Sequence, residues 1–186
     1  IYIFMKQFFL AVFILFLAPV ALAQRGIYHD DRLSFGSNFL KDETAIGQVH
    51  LDLGIGYRFS EKFRLGFLLG YGYMAFRDEA KQKARSFSMG MGLSGNFRCF
   101  ANEAIALHSD IRIYVGSPSK ESLADWGFFS VGTELQTYFL SIASEHTKPY
   151  VSLGISAIHG GYEKNNFTID RTYFMPHIGV GIVRQF

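Results

Sequence analysis

The chain has 186 residues, room for one domain, and 18 Lys and Arg stand against 16 Asp and Glu for a net charge of +2. That balance leaves no electrostatic footprint for nucleic acid, and a single cysteine, Cys99, excludes an intrachain disulfide and any zinc site built from cysteines. Hydrophobic residues are 49% and aromatics 17% of the sequence, yet after residue 23 no apolar run reaches the length of a spanning helix, so alternating strands in a membrane are the fitting use of so much apolar surface.

The chain begins with a targeting pattern. Lys6 supplies a positive n-region, residues 8–17 are continuously apolar, and Ala21-Leu22-Ala23 is an A-x-A cleavage site. The apolar stretch 8–23 is 16 residues, short of the roughly 20 that a spanning helix needs. Cleavage between Ala23 and Gln24 is therefore expected, with residues 1–23 a signal peptide and residues 24–186 the mature domain, whose net charge falls to +1 with the loss of Lys6.

Eight segments of strand period follow. The first, 32–40, sets Leu33, Phe35 and Phe39 on one side. In the second, 49–59, Val49, Leu51, Leu53, Ile55, Tyr57 and Phe59 alternate with His50, Asp52, Gly54, Gly56 and Arg58. The turn Ser60-Glu61-Lys62 leads to the third, 63–76, where Phe63, Leu65, Phe67, Leu69, Tyr71 and Tyr73 oppose Arg64, Gly66, Leu68, Gly70, Gly72 and Met74. The fourth, 85–97, sets Phe87, Met89, Met91, Leu93 and Phe97 against Ser88, Gly90, Gly92, Ser94 and Asn96. In the fifth, 104–116, Ile105, Leu107, Ile111, Ile113 and Val115 oppose His108, Asp110, Arg112 and Tyr114. The sixth, 126–139, sets Val131, Leu135 and Phe139 against Ser130, Gly132, Glu134, Gln136 and Tyr138. The seventh, 150–162, sets Val151, Leu153, Ile155 and Ala157 against Ser152, Gly154 and Ser156. In the eighth, Phe174, Ile178, Val180, Ile182 and Phe186 oppose Tyr173, His177, Gly179, Gly181 and Gln185. Period 2 sustained over eight segments argues for strands over helices. Crossing an apolar band of about 25 Å at about 40° takes roughly 10 residues, which these segments supply.

The links 60–62 and 98–103 are short, and 140–149 is longer. The links 41–47, 77–84, 117–125 and 163–172 are polar. Short turns face the periplasm in such barrels and longer loops face out, so both chain ends belong on the periplasmic side. Aromatics sit at the segment ends. Tyr57, Phe59, Phe63, Phe97, Phe139, Tyr150 and Phe186 are expected in a periplasmic girdle, and Tyr71, Tyr73, Phe87, Trp126, Phe129, Tyr162 and Phe174 toward the outer rim.

The polar parity carries the chemistry. His50, Asp52, Arg58, Arg64, Arg98, His108, Asp110, Arg112 and Glu134 are expected to form an interior polar network, with Gln136, Tyr138 and His177 beside them and inward glycines leaving room for the arginines. Eight strands enclose a lumen just wide enough for side chains to fill, and unpaired charges there would cost several kcal/mol. A salt-bridged plug is the expected outcome. The pairs His50-x-Asp52 and His108-x-Asp110 each share a face, as a general base needs. The inward serines Ser88, Ser94 and Ser130 are candidate nucleophiles that no spacing selects, so no catalytic residue, metal ligand or cofactor is assigned. Gly54-Ile55-Gly56 and Gly70-Tyr71-Gly72 lie within strands with no helix after them, unlike phosphate loops.

With its signal segment, eight alternating strands, Gly179-Val180-Gly181-Ile182 and a terminal Phe186, the chain resembles the small eight-stranded bacterial outer-membrane barrels of the OmpX/Ail and OmpA transmembrane-domain type. The resemblance implies an all-β fold, an eight-stranded antiparallel up-and-down transmembrane barrel in the cell outer membrane, with Phe186 as the insertion signal read by the barrel-insertion machinery. Arg184 departs from the pattern, standing on the lipid parity where an aromatic is common, and is expected to snorkel to the interface. The lipid A deacylase family of barrels carries His-x-Ser on one strand face. This chain has no such triplet, and His108-Ser109 puts the two side chains on opposite faces.

The expected function is non-enzymatic: a monomer contributing to envelope integrity or surface interaction through its outer loops, in contact with outer-membrane lipids including lipopolysaccharide. Arg77, Lys81, Lys83 and Arg85 make the second outer loop mildly basic, suited to lipid phosphates. The alternative is a lipid A-modifying deacylase or acyltransferase. A diffusion channel is disfavoured, since a filled lumen leaves no wide path.

Overall fold

The computed structural model describes residues 26–38, 45–77, 83–118, 125–144, 146–164 and 167–185. The expected signal segment, its expected Ala23/Gln24 junction and Phe186 lie outside them, as do the tips of the four outer links.

Eight antiparallel strands close on themselves in chain order. They are β1 (Gly26–Ser37), β2 (Ala45–Arg58), β3 (Phe63–Arg77), β4 (Lys83–Ala101), β5 (Ile105–Pro118), β6 (Asp125–Phe139), β7 (Thr147–Lys164) and β8 (Phe167–Gln185). The β1–β8 ladder, from Tyr28↔Gln185 to Gly36↔His177, makes the closure. Closure gives every strand two neighbours, the condition for placing a sheet in hydrocarbon where water cannot satisfy an edge. Pro176, which cannot donate a ladder hydrogen bond, falls just past the last β1–β8 pair.

The expected segments correspond to these strands in order and face, and the strands extend further at most ends. β1 begins at Gly26, ahead of the expected 32, because its lipid parity carries His29 and Asp31, which break the apolar alternation. Asp31 is matched there by Arg184, whose Nη1 donates to it at 2.7 Å. Arg184 thus has a specific partner on the outer wall as well as access to solvent. The outer link expected at 163–172 is mostly strand, since β7 ends at Lys164 and β8 begins at Phe167. At the opposite end, links 59–62 and 102–104 are tight. A 3-10 turn, Leu140–Ile142, starts the link from β6 to β7.

The faces have the polarity of a membrane barrel. Leu53, Leu69, Met89, Ile111, Leu153 and Ile178 are half exposed on the outside, while Asp52, Asp110 and Gln136 are buried inside. A soluble barrel reverses this arrangement; lipid contact requires it. At the turn end Tyr57 meets Phe59 edge to face and Phe59 meets Phe63 at a tilt, with centroids 5.1 and 5.7 Å apart, and Phe97 and Phe100 are exposed nearby. At the loop end Phe87 meets Tyr71 and Tyr73 at 5.7 and 5.2 Å. The side chains of Trp126 and Tyr162 lie outside the described set. Tyr150 is not in the girdle: it is 2% exposed, and its hydroxyl donates to Asp30 Oδ1 at 2.7 Å inside the lumen. Parity decides this, because Tyr150 shares the face of Ser152 and Gly154.

The inward glycines make room chiefly for aromatic rings, and less for the arginines. A Cβ on Gly70 would lie 1.6 Å from the Tyr114 hydroxyl, and one on Gly181 would lie 2.4 Å from the Tyr150 ring. Apolar side chains close the loop end of the lumen, with Ile46, Met74, Phe128, Ile158, Tyr173 and Met175 forming one buried cluster. At the turn end Tyr28, Ala106, Tyr138, Tyr150 and Val183 form a second.

Gly56→Ala should lower stability by about 1–3 kcal/mol, because its Cβ would meet the Leu65 carbonyl oxygen at 2.2 Å and the Tyr28 ring at 2.6 Å. Gly95→Ala, whose nearest neighbour is Leu65 Cδ2 at 3.6 Å, should shift stability by no more than about 0.5 kcal/mol. Urea midpoints in lipid vesicles measure both.

Candidate functional site

The centre of the lumen is a charge network contributed by four strands, β1, β2, β5 and β6. Arg32 on β1 stands directly opposite Asp52 on β2. Its Nε donates to Asp52 Oδ2 at 2.9 Å, its Nη2 lies 2.7 Å from the same oxygen, and its Nη1 reaches Glu134 on β6. Arg112 on β5 binds four carboxylates: Asp110 at 2.6 Å, Asp52 and Asp30 at 3.1 Å each, and Glu134 at 3.4 Å.

This arrangement solves a problem set by the register. Asp110 and Glu134 are direct cross-strand partners on one face, and like charges so placed repel. Arg112 lies between them and binds both. Two further oxygens take neutral donors: the Tyr150 hydroxyl donates to Asp30 Oδ1 at 2.7 Å, and Gln136 Nε2 to Glu134 Oε1 at 2.8 Å.

Toward the turn end the network becomes a relay of neutral groups around Arg64. Its Nη2 donates to Tyr138 Oη and Asn96 Oδ1, both at 2.7 Å, and its guanidinium lies over the Tyr28 and Tyr138 rings at 5.3 and 5.2 Å. Asn96 Nδ2 and the Tyr138 hydroxyl both donate to Gln136 Oε1. His108 belongs here. Its Nδ1 lies 2.6 Å from Asn96 Oδ1, making it the donor.

The expected network residues therefore fall into three levels. Asp52, Asp110, Arg112 and Glu134 meet at the centre, with His50 against Asp52; Arg64 and His108 lie in the layer below. Arg58 and Arg98 stand at the turn-end mouth, where Arg58 Nη1 donates to Gln185 Oε1 at 2.8 Å and Arg98 Nη2 to Glu61 Oε2 at 2.8 Å. The Arg98 hydrogen bond holds the exposed Glu61 carboxyl below the usual carboxylate range. Its contribution is present at neutral pH and is lost as pH falls through that lowered value.

The two His-x-Asp pairs have different fates. His50 Nδ1 lies 3.0 Å from Asp52 Oδ1, but Asp52 is already engaged by both central arginines. His108 turns to Asn96, while Asp110 turns to Arg112. Of the candidate serines, Ser88 donates to the Gly72 carbonyl at 3.4 Å.

The arrangement that most resembles a catalytic relay is one the sequence did not single out. Ser156 Oγ lies 3.4 Å from His177 Nδ1, and His177 Nε2 lies 3.3 Å from Glu134 Oε2. Glu134 on β6 pairs with Gly154 on β7, which pairs with His177 on β8. The absent side chain of Gly154 lets acid and imidazole meet across the strand between them. A Cβ there would lie 2.6 Å from Glu134 Cβ and 2.7 Å from His177 Nε2. Also missed were Asp30, Arg32 and Tyr150. For the first two the signal was available, since Asp30 and Arg32 continue the parity of Ser34 away from Leu33 and Phe35.

Beside the relay lies a cavity of about 50 Å³ lined by His50, Ser130, Gly132, Glu134, Ser156 and His177 among others, room for a few waters. Among the described residues no group of three or more His, Cys, Asp and Glu is arranged to hold a metal ion.

No family model matches the chain, and no curated protein matches it. Solved structures do. The outer membrane protein OprG from Pseudomonas aeruginosa aligns over 88% of this chain and 96% of its own, with TM-score 0.54 and 11% identity. Neisserial surface protein A aligns over 88% of this chain and 98% of its own, with TM-score 0.50 and 12% identity. The fold is that of the small outer-membrane β-barrels. At such identities the likeness carries the fold and no more.

Arg112→Met should destabilise the barrel by about 3–5 kcal/mol, because it leaves Asp110 facing Glu134 without a cation between them. Ile113→Leu on the lipid face should cost less than about 1.5 kcal/mol. Adding Asp110→Asn to Arg112→Met should recover part of the loss, and urea unfolding in vesicles reads all three.

Proposed function

We propose that this outer-membrane barrel is a non-enzymatic, monomeric scaffold of the OmpX/Ail or OmpA transmembrane-domain type, contributing to envelope integrity or surface contact through the links after β1, β3, β5 and β7. The observation that carries the reading is the state of the central acids. Asp52, Asp110 and Glu134, the carboxylates a general acid or base would use, are each bound by a guanidinium. A carboxylate so held is taken up by the lumen's own charge pairing. Buried polar groups packed between two apolar clusters also favour a filled lumen over a conduit. The partners in this reading are outer-membrane lipids, lipopolysaccharide phosphates among them at the basic link after β3, and the machinery that inserts such barrels.

A lipid A-modifying enzyme, deacylase or acyltransferase, is the second reading, favoured by the Ser156, His177 and Glu134 relay. Against it stand the small cavity, the enclosure of the relay within the lumen, and the bonds from Arg32 and Arg112 to Glu134.

Mass spectrometry of lipid A from cells with and without the protein separates the two. The scaffold reading expects identical acyl patterns. An acyl chain lost or gained with the wild type, and restored by Ser156→Ala, would establish the enzyme.

A further inference from the structure

At the turn end the lumen opens into a cavity of about 160 Å³, more than three times the volume beside the relay. Among the described residues its charged lining is Arg58 from β2, Arg64 from β3, Arg98 from β4 and Lys148 from β7, with Glu61 as the single carboxylate. Four cations against one anion leave a net charge of +3, in a chain whose whole formal charge is +2. Glu61 is committed to Arg98. Among the described residues Arg58, Arg64 and Lys148 have no carboxylate within ion-pairing distance, and Arg64 is only 6% exposed. Arg58 Nε is a buried donor with no hydrogen-bond partner.

Such a concentration of like charge is costly without an anion, and the space that would otherwise be packed is left open by the small side chains of Ala101 and Ala106. We propose that this turn-end cavity binds a phosphate-type oxyanion, held by Arg58, Arg98 and Lys148 over Arg64. A carboxylate would offset one of the three excess charges. A phosphate group offers up to two charges and several acceptor oxygens, which suits donors arriving from separate strands. The mouth faces the periplasmic side, as the short turns require. The phosphate can therefore come from a free small anion or from a phospholipid headgroup of the inner leaflet.

The test is calorimetric titration of the whole folded barrel in a phosphate-free detergent at fixed ionic strength, with inorganic phosphate and, separately, with short-chain phosphatidylglycerol. Folding of each variant is checked by its gel shift on heating. Lys148→Gln and Arg58→Gln should each weaken phosphate binding about tenfold. Glu61→Gln, an exposed turn substitution, should tighten it by releasing Arg98. Arg184→Gln, which removes a cation from the outer wall at the same end, should leave it unchanged. Binding of inorganic phosphate alone identifies a free anion as the ligand, whereas competition by phosphatidylglycerol identifies a headgroup; both support the site. The proposal is overturned if neither probe binds, if Arg184→Gln weakens binding as much as Lys148→Gln, or if Glu61→Gln leaves the affinity unchanged.

Discussion

Two guanidinium groups, Arg32 and Arg112, meet four carboxylates at mid-lumen, and the remainder of the barrel is arranged around that encounter. Charged side chains point inward because the outward face is committed to lipid. Once inside, they are far from bulk water and must satisfy one another. The register places Arg32 beside Asp52 but Asp110 beside Glu134. Arg112 resolves the second, repulsive pair by bridging it. Strands β1, β2, β5 and β6, which are not all neighbours in the sheet, are thereby tied across the lumen as well as along the wall.

The same logic explains the layering. Among the described residues Arg64 has no carboxylate partner, and it relies on Asn96, Tyr138 and two aromatic faces. Tyrosines occupy space that glycines vacate, with Tyr114 against Gly70 and Tyr150 against Gly181. Each combines an apolar body that fills the narrow lumen with a hydroxyl, and that of Tyr150 reaches the network at Asp30. The apolar cluster near the loop end behaves as a small protein core within a membrane barrel. Charge is thus unevenly distributed along the axis, with excess acid at the centre and excess base at the turn-end mouth.

Much of the fold was legible because lipid and lumen impose opposite polarity at period 2. Ladders such as Leu51, Leu53 and Ile55 against Asp52 and Gly54 carry that signal without help from tertiary context. The failures occurred where parity and side-chain type disagree. Asp31 and His29 put polar groups on the lipid face and hid the start of β1. Tyr150, an aromatic at a strand end, reads as a girdle residue although its parity is inward. The relay of Ser156, His177 and Glu134 depends on register across three strands and on the gap at Gly154, which no single-strand pattern reports. The division of the interior into acid centre and basic mouth likewise depends on how far each strand is staggered. Arg58 and Arg98 share parity with Asp52 and Asp110 but lie at a different depth.

The central claim is that cross-lumen charge pairing keeps the barrel filled, and single-channel recording in planar bilayers addresses it most directly. The wild-type protein is expected to show no steady conductance, and replacing both Arg32 and Arg112 by serine should produce openings, since the freed carboxylates repel and draw water and cations inward. Steady, large openings of the wild-type protein would contradict the account.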